Sequence, residues 1–184
     1  MGDEALTLVA TYQRTIHASL ERIWENVLDW EHLPWLHRRS FLDVCLLAQT
    51  PHGWQARVKL PPAEAAREVV IGIQLDQPNL RYWSRTLEGQ GAGSEILTCL
   101  GPLDERTTKI VVEFRVPGVS AAQAKAVGEA YLRLYHRLWD EDEAMMIRRQ
   151  ALLDAQLINK TPLVRQKRRR QSVINKEHRA GAET

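Results

Sequence analysis

From Ser120 onward the chain keeps one helical pattern to about Leu157, and nearly everything before it alternates like β-structure. Ala121, Ala122, Ala124, Ala126 and Ala130 favour helix, and Val127, Tyr131, Leu134, Leu138, Met145 and Met146 hold approximate helical spacing. Upstream, residues 7–17 alternate polar and apolar and are rich in Val, Thr, Tyr and Ile, as a strand requires. Further strands are expected at residues 40–48, 54–60, 68–75, 80–87, 94–100 and 107–116, separated by turn residues such as Pro51-His52-Gly53 and Asp76-Gln77-Pro78-Asn79. One short helix interrupts this series, capped by Ser19, with Leu20, Ile23, Trp24, Val27 and Leu28 on its apolar face. The order is strand, helix, about six antiparallel strands and one long closing helix, an α+β chain.

With 184 residues the chain is the size of one domain with a real core. No apolar run approaches the roughly 18 residues of a membrane span. The acidic start, Met1-Gly2-Asp3-Glu4, lacks the basic residues and apolar run of a signal peptide, so a cytoplasmic protein is expected. The net charge of +2 conceals an asymmetry. From Gln156 to Thr184 eight Lys/Arg oppose two Glu, giving +6 and leaving −4 for the body. Residues 1–157 are therefore read as the folded domain and residues 158–184 as a basic tail, partly disordered by composition. The Lys167-Arg168-Arg169-Arg170 run has no interleaved aromatics, which disfavours nucleic acid and leaves a solvated tail or packing across a neighbouring subunit of a homo-oligomer. Cys45 and Cys99 fall in apolar strand-like segments, where buried free thiols are the default.

The chemistry is concentrated in Glu25-Asn26-Val27-Leu28-Asp29-Trp30-Glu31-His32-Leu33-Pro34-Trp35-Leu36-His37. Asp29 and His32, three apart, share one face of a helix. His32 and His37 diverge on an unbroken helix, but Pro34 between them disfavours helical geometry at Leu33. A break there swings both rings toward one point. Two histidines with a carboxylate from elsewhere form the facial triad of non-haem Fe(II) proteins.

The order of elements resembles the helix-grip fold of the START/SRPBCC superfamily, in which a curved antiparallel sheet wraps a long C-terminal helix around an apolar cavity. Within it, Asp29-x-x-His32-x-x-x-x-His37 resembles the mononuclear-iron motif of the catalytic domain of Rieske-type ring-hydroxylating oxygenases. The resemblance spans residues 7–157, in a chain shorter than is usual for that family. It implies iron ligands at His32 and His37. It implies a third ligand at Asp142, in Trp139-Asp140-Glu141-Asp142 with Gln150 eight residues on; Asp140 is the fallback. Taken alone, the four consecutive acids from Asp140 to Glu143 read as a solvated helix face. In that family the acid at Asp29 passes electrons from a Rieske cluster. Such a cluster needs paired Cys and His. Neither cysteine here has a His two or three residues away, so this chain carries no Rieske cluster. Asp29 is then expected to accept the ring N–H of His32 and fix its tautomer.

Three functions follow. One is a non-haem iron oxygenase with Fe(II) at His32, His37 and Asp142, an apolar aromatic or sterol-like substrate, and electrons from a separate ferredoxin or Rieske-containing partner. Another is a metal-free carrier or cyclase-like protein using His32 or His37 as polar groups or acid–base catalysts. The third is an accessory subunit of a larger oxygenase. Trp35, Trp83 and Trp139 are candidate walls of the ligand pocket.

Overall fold

The structure, a computed structural model, describes residues 5–62, 65 and 67–157. The chain divides into two compact units, residues 1–147 and 148–184. The basic tail expected at residues 158–184 lies outside the described residues. Of the second unit, residues 148–154 are helical, and Gln156 has a left-handed backbone with φ of 56°.

Strand β1 (Leu6–Ile16) is followed by α1 (Leu20–Leu28), a 3-10 turn at Trp30–His32 and the short α2 (Leu33–Leu36). Six strands come next: β2 (Asp43–Thr50), β3 (Gly53–Leu60), β4 (Arg67–Asp76), β5 (Arg81–Glu88), β6 (Glu95–Asp104) and β7 (Thr107–Pro117). Helix α3 (Ala121–Asp154) closes the order, ending three residues before the expected Leu157. All seven strands form one antiparallel sheet in the order β1-β7-β6-β5-β4-β3-β2. The first strand returns to pair with the last, leaving β1 and β2 as the edges. Register shifts interrupt the ladders between Leu8 and Ala10 and between Leu46 and Ala48, and such bulges bend and twist a sheet.

Capping is local chemistry made visible. The Ser19 hydroxyl accepts the Arg22 N–H at 3.2 Å, satisfying one of the open backbone donors in the first turn of α1. At the head of α3, the Gln123 side chain accepts the Ser120 N–H at 3.2 Å and the Ser120 hydroxyl at 2.7 Å. Buried residues of the sheet and the two longer helices make the main core, among them Tyr12, Ile16, Ile23, Tyr82, Ile110, Val112, Phe114, Trp139 and Met146. Phe114 stacks on Tyr131 and meets Tyr135 edge-on, with centroids 5.0 and 4.6 Å away.

Two expectations are corrected here. Cys45 and Cys99 are exposed free thiols. Thr98 and Leu100 point inward, so the two-residue period of β6 turns Cys99 outward. The helix break in the motif is not at Pro34. Helix α1 ends at Leu28, and Asp29 leaves helical geometry with φ −85° and ψ 83°. Leu33 stays helical with φ −52° and ψ −53°, because Pro34 falls in the first turn of α2, where its missing N–H breaks no bond.

Candidate metal centre

The Asp29 break redirects the chain so that His32 ends the 3-10 turn and His37 caps α2. On α3 the core-facing stripe runs through the partly buried Tyr131 and Tyr135 and the buried Trp139, Asp142 and Met146, at helical spacing. Asp142 is thus a carboxylate set in an apolar row, one turn beyond Trp139 and one before Met146. Asp140, two residues earlier, lies on another face, two-thirds exposed and paired with Arg14. The fallback ligand is therefore not in the site.

His32, His37 and Asp142 come together. Oδ1 of Asp142 is 3.0 Å from Nε2 of His37 and 3.6 Å from Nε2 of His32. One ligand atom from each of the three lies within 4.8 Å of the others. The two rings meet edge-on with centroids 5.2 Å apart. His37 is 1 % exposed and Asp142 8 %.

Both rings are held from behind. Nδ1–H of His37 donates to Oε2 of Glu141 at 2.6 Å. Nδ1–H of His32 donates to the backbone carbonyl of Asp29. Asp29 therefore does meet His32, through its main chain; its side chain belongs to an exposed residue where α1 ends. With each Nδ1 carrying the proton, each Nε2 presents a lone pair. The Asp142 Oδ1 toward which they converge is buried.

The electrostatics differ between the two rings. Burial acts to lower His37, but the adjoining carboxylates of Asp142 and Glu141 outweigh it and hold the imidazole above its ordinary range. For His32 burial prevails: the ring is held below its ordinary range, against the pull of Asp142 and with the help of His37. Around the carboxylate, burial raises the Tyr82 and Tyr135 phenols well above their usual range, and Asp142 adds to the effect.

A donor set of two neutral imidazoles and one carboxylate suits a divalent transition-metal ion. An ion about 2.1 Å from each donor separates them by about 3.0–3.6 Å, so the observed spacings need only modest closure. The residues present fit the group.

The three tryptophans do not line one pocket. Trp35 is 72 % exposed and lines a groove of about 710 Å³ shared with Trp30, His32, Pro34, Leu42 and Val44. Trp139 is a core residue. Trp83 lies on the opposite sheet face from Tyr82, between the guanidiniums of Arg81 and Arg85, 4.9 and 5.6 Å from its ring centroid. The period of two along β5 forces that separation. Gln150 lies in the second unit, where its amide donates to Asp154 at 2.8 Å. Glu141 was not among the expected site residues; adjacency to Asp142 on a helix gives no sign that its carboxylate would reach a distant imidazole.

No family model matches this sequence, and no curated protein matches it. Solved structures do. An aromatase/cyclase, Zhui from Streptomyces sp. R1128, aligns over 79 % of this chain and 96 % of its own with a TM-score of 0.65 at 16 % identity. A START superfamily protein from Mycobacterium smegmatis aligns over 74 % of this chain and 97 % of its own, TM-score 0.60, 19 % identity. Norcoclaurine synthase from Thalictrum flavum, solved with dopamine and hydroxybenzaldehyde, aligns over 79 % and 88 %, TM-score 0.57, 16 % identity. The fold is a START-type helix grip. One core cluster joins Trp139 and Met146 of α3 to Ile23 of α1 and to buried residues of the sheet, and this shared core brings Asp142 toward the motif that follows α1. These three solved structures are helix-grip proteins, and nothing in them supports the Rieske-oxygenase resemblance, which rests on the motif residues. No described helix is long and apolar enough to cross a membrane.

Proposed function

We propose that this chain is a helix-grip protein that binds a divalent metal ion, Fe(II) by the chemistry of its donors, at His32, His37 and Asp142, and takes an apolar or aromatic small molecule beside it. The observation that carries this reading is the convergence of Nε2 of His32 and Nε2 of His37 on one buried carboxylate oxygen, with one ligand atom from each residue within 4.8 Å of the others. A buried carboxylate needs a compensating charge, since burying a lone ion is destabilising by several kcal/mol. A divalent ion supplies that charge, as a protonated His37 does in the metal-free protein. Fe(II) in such a donor set offers free positions for activating oxygen. The protein's own part is to hold two imidazoles in one tautomer, keep water from His37 and present the groove at His32 to a ligand. Trp30, Trp35 and Pro34 give that groove flat apolar surfaces among the charged Asp29, Glu31, Arg38 and Asp43, and its volume is that of a small-molecule site. As an oxygenase, the chain would draw electrons from a separate ferredoxin or Rieske-containing donor.

A second reading is favoured by the fold neighbours, which include an aromatase/cyclase and a synthase. In it the site is metal-free and His37 with Asp142 forms an acid–base pair. The ring exchanges a proton at Nε2 while Glu141 retains the one at Nδ1.

Anaerobic loading with Fe(II), followed by metal analysis of wild type, His37→Ala and Asp142→Ala, separates the two. The metal-centre reading expects about one ion per chain in wild type and a sharp loss in both variants. Failure of wild type to retain Fe(II) would leave the metal-free reading.

A further inference from the structure

The two consecutive carboxylates Glu141 and Asp142 take opposite sides of a single ring. They lie about 100° apart on α3, so they cannot reach one point from the same direction. An imidazole has a nitrogen on each side, and the helix uses both: Glu141 meets Nδ1 at 2.6 Å, and Asp142 lies 3.0 Å from Nε2. At 1 % exposure His37 has little access to water that could satisfy Nδ1–H in place of Glu141. The contrast with His32 is informative. Its Nδ1 is satisfied by a backbone carbonyl, which side-chain substitution does not remove.

We propose that Glu141 is the positioning residue of the site, fixing the orientation and tautomer of His37 so that Nε2 is offered as a ligand. This inference rests on the metal-centre reading. Accepting Nδ1–H excludes the tautomer whose proton would occupy the ligand position. A carboxylate acceptor also increases the donor strength of the ring, which a neutral carbonyl at His32 does less. The centre is therefore asymmetric: His37 is its stronger and better anchored imidazole, His32 the more accessible one, at the groove.

The test uses the full chain, with Glu141→Leu and Glu141→Gln beside wild type. Anaerobic Fe(II) competition against a chelator gives affinity, the visible spectrum of the Co(II)-loaded protein reports coordination, and thermal melts of metal-free protein report folding. Expected for Glu141→Leu is a loss of about 10–100-fold in Fe(II) affinity with an altered Co(II) spectrum and a metal-free melt close to wild type. Glu141→Gln, whose amide oxygen still accepts the same N–H, recovers most of the affinity. Unchanged affinity and spectrum in Glu141→Leu would overturn the proposal, as would a loss that tracks the metal-free melt and is not rescued by Gln. Should wild type bind neither metal, the metal-centre reading itself fails. Ring-nitrogen NMR shifts of metal-free His37, taken where the ring is neutral, then decide the positioning role. The Nδ1–H tautomer in wild type and not in Glu141→Leu supports it, and the same tautomer in both rejects it.

Discussion

Oδ1 of Asp142, buried on α3, lies 3.0 Å from Nε2 of His37. Burial opposes the charged imidazole, but Asp142, as hydrogen-bond acceptor and as charge, outweighs it together with Glu141. Both atoms, with Nε2 of His32, face a shared point. Asp142→Asn keeps the shape and removes the charge. It is expected to lower Fe(II) affinity at least about 100-fold, since ligation needs the deprotonated group. Metal competition assays check this, and an affinity within a few-fold of wild type would refute it.

Asp29→Asn separates two roles that one residue could play. The His32 ring is anchored by the Asp29 carbonyl, so the side-chain change should alter metal affinity by less than about 3-fold, well below the usual 10–100-fold effect of losing such an anchor. A loss of about 10-fold or more would mean that the carboxylate acts on the site after all.

Trp35→Ala tests the groove. At 72 % exposure the ring contributes little to folding, and a stability change within about 0.5 kcal/mol is expected. If the groove holds the small molecule, binding of a planar aromatic probe, read by fluorescence or calorimetry, should weaken severalfold. Unaltered probe binding would move the ligand elsewhere.

Gly128→Ala should reverse the usual helix preference. A methyl there would stand 2.3 Å from the carbonyl oxygen of Val9, in the bulge of β1. The helix gains up to about 1 kcal/mol from Ala over Gly. Displacing the β1 backbone costs about 1–3 kcal/mol, so net destabilisation is expected. Denaturant melts measure it, and a more stable variant would show that α3 does not approach β1 this closely.

Glu143→Gln probes the lock between α3 and β1. Burial opposes the charge of Glu143, but the His17 N–H at 2.7 Å, the His17 ring at 2.8 Å and Arg14 outweigh it, holding the carboxyl below its usual range. A group lowered on folding contributes stability above its unfolded pKa, about 4.3, and loses it as pH falls through the folded value. Wild type should exceed the variant by about 1–3 kcal/mol at pH 7, with the gap closing below about pH 4. A gap independent of pH would assign the effect to packing.

The sequence by itself determined the elements. Strand alternation, the Ser19 and Ser120 caps and the long Ala-rich closing helix follow from local chemistry, and together they specify a strand–helix–strands–helix order. The two imidazoles were legible too, since His32 and His37 flank a proline in one short stretch; Asp142 came only from the family resemblance, because its acidic run by itself reads as a solvated face. What tertiary structure decided is direction. Whether Asp142 or Asp140 faces the imidazoles depends on which side of α3 meets the sheet, and the four-acid run looks alike from either side. The break fell at Asp29 because Pro34 can sit in the first turn of α2. Glu141 reached His37 across 104 residues of chain, a distance that no local pattern encodes. Periodicity assigns a residue to a face of its own element, and only packing brings two such faces together.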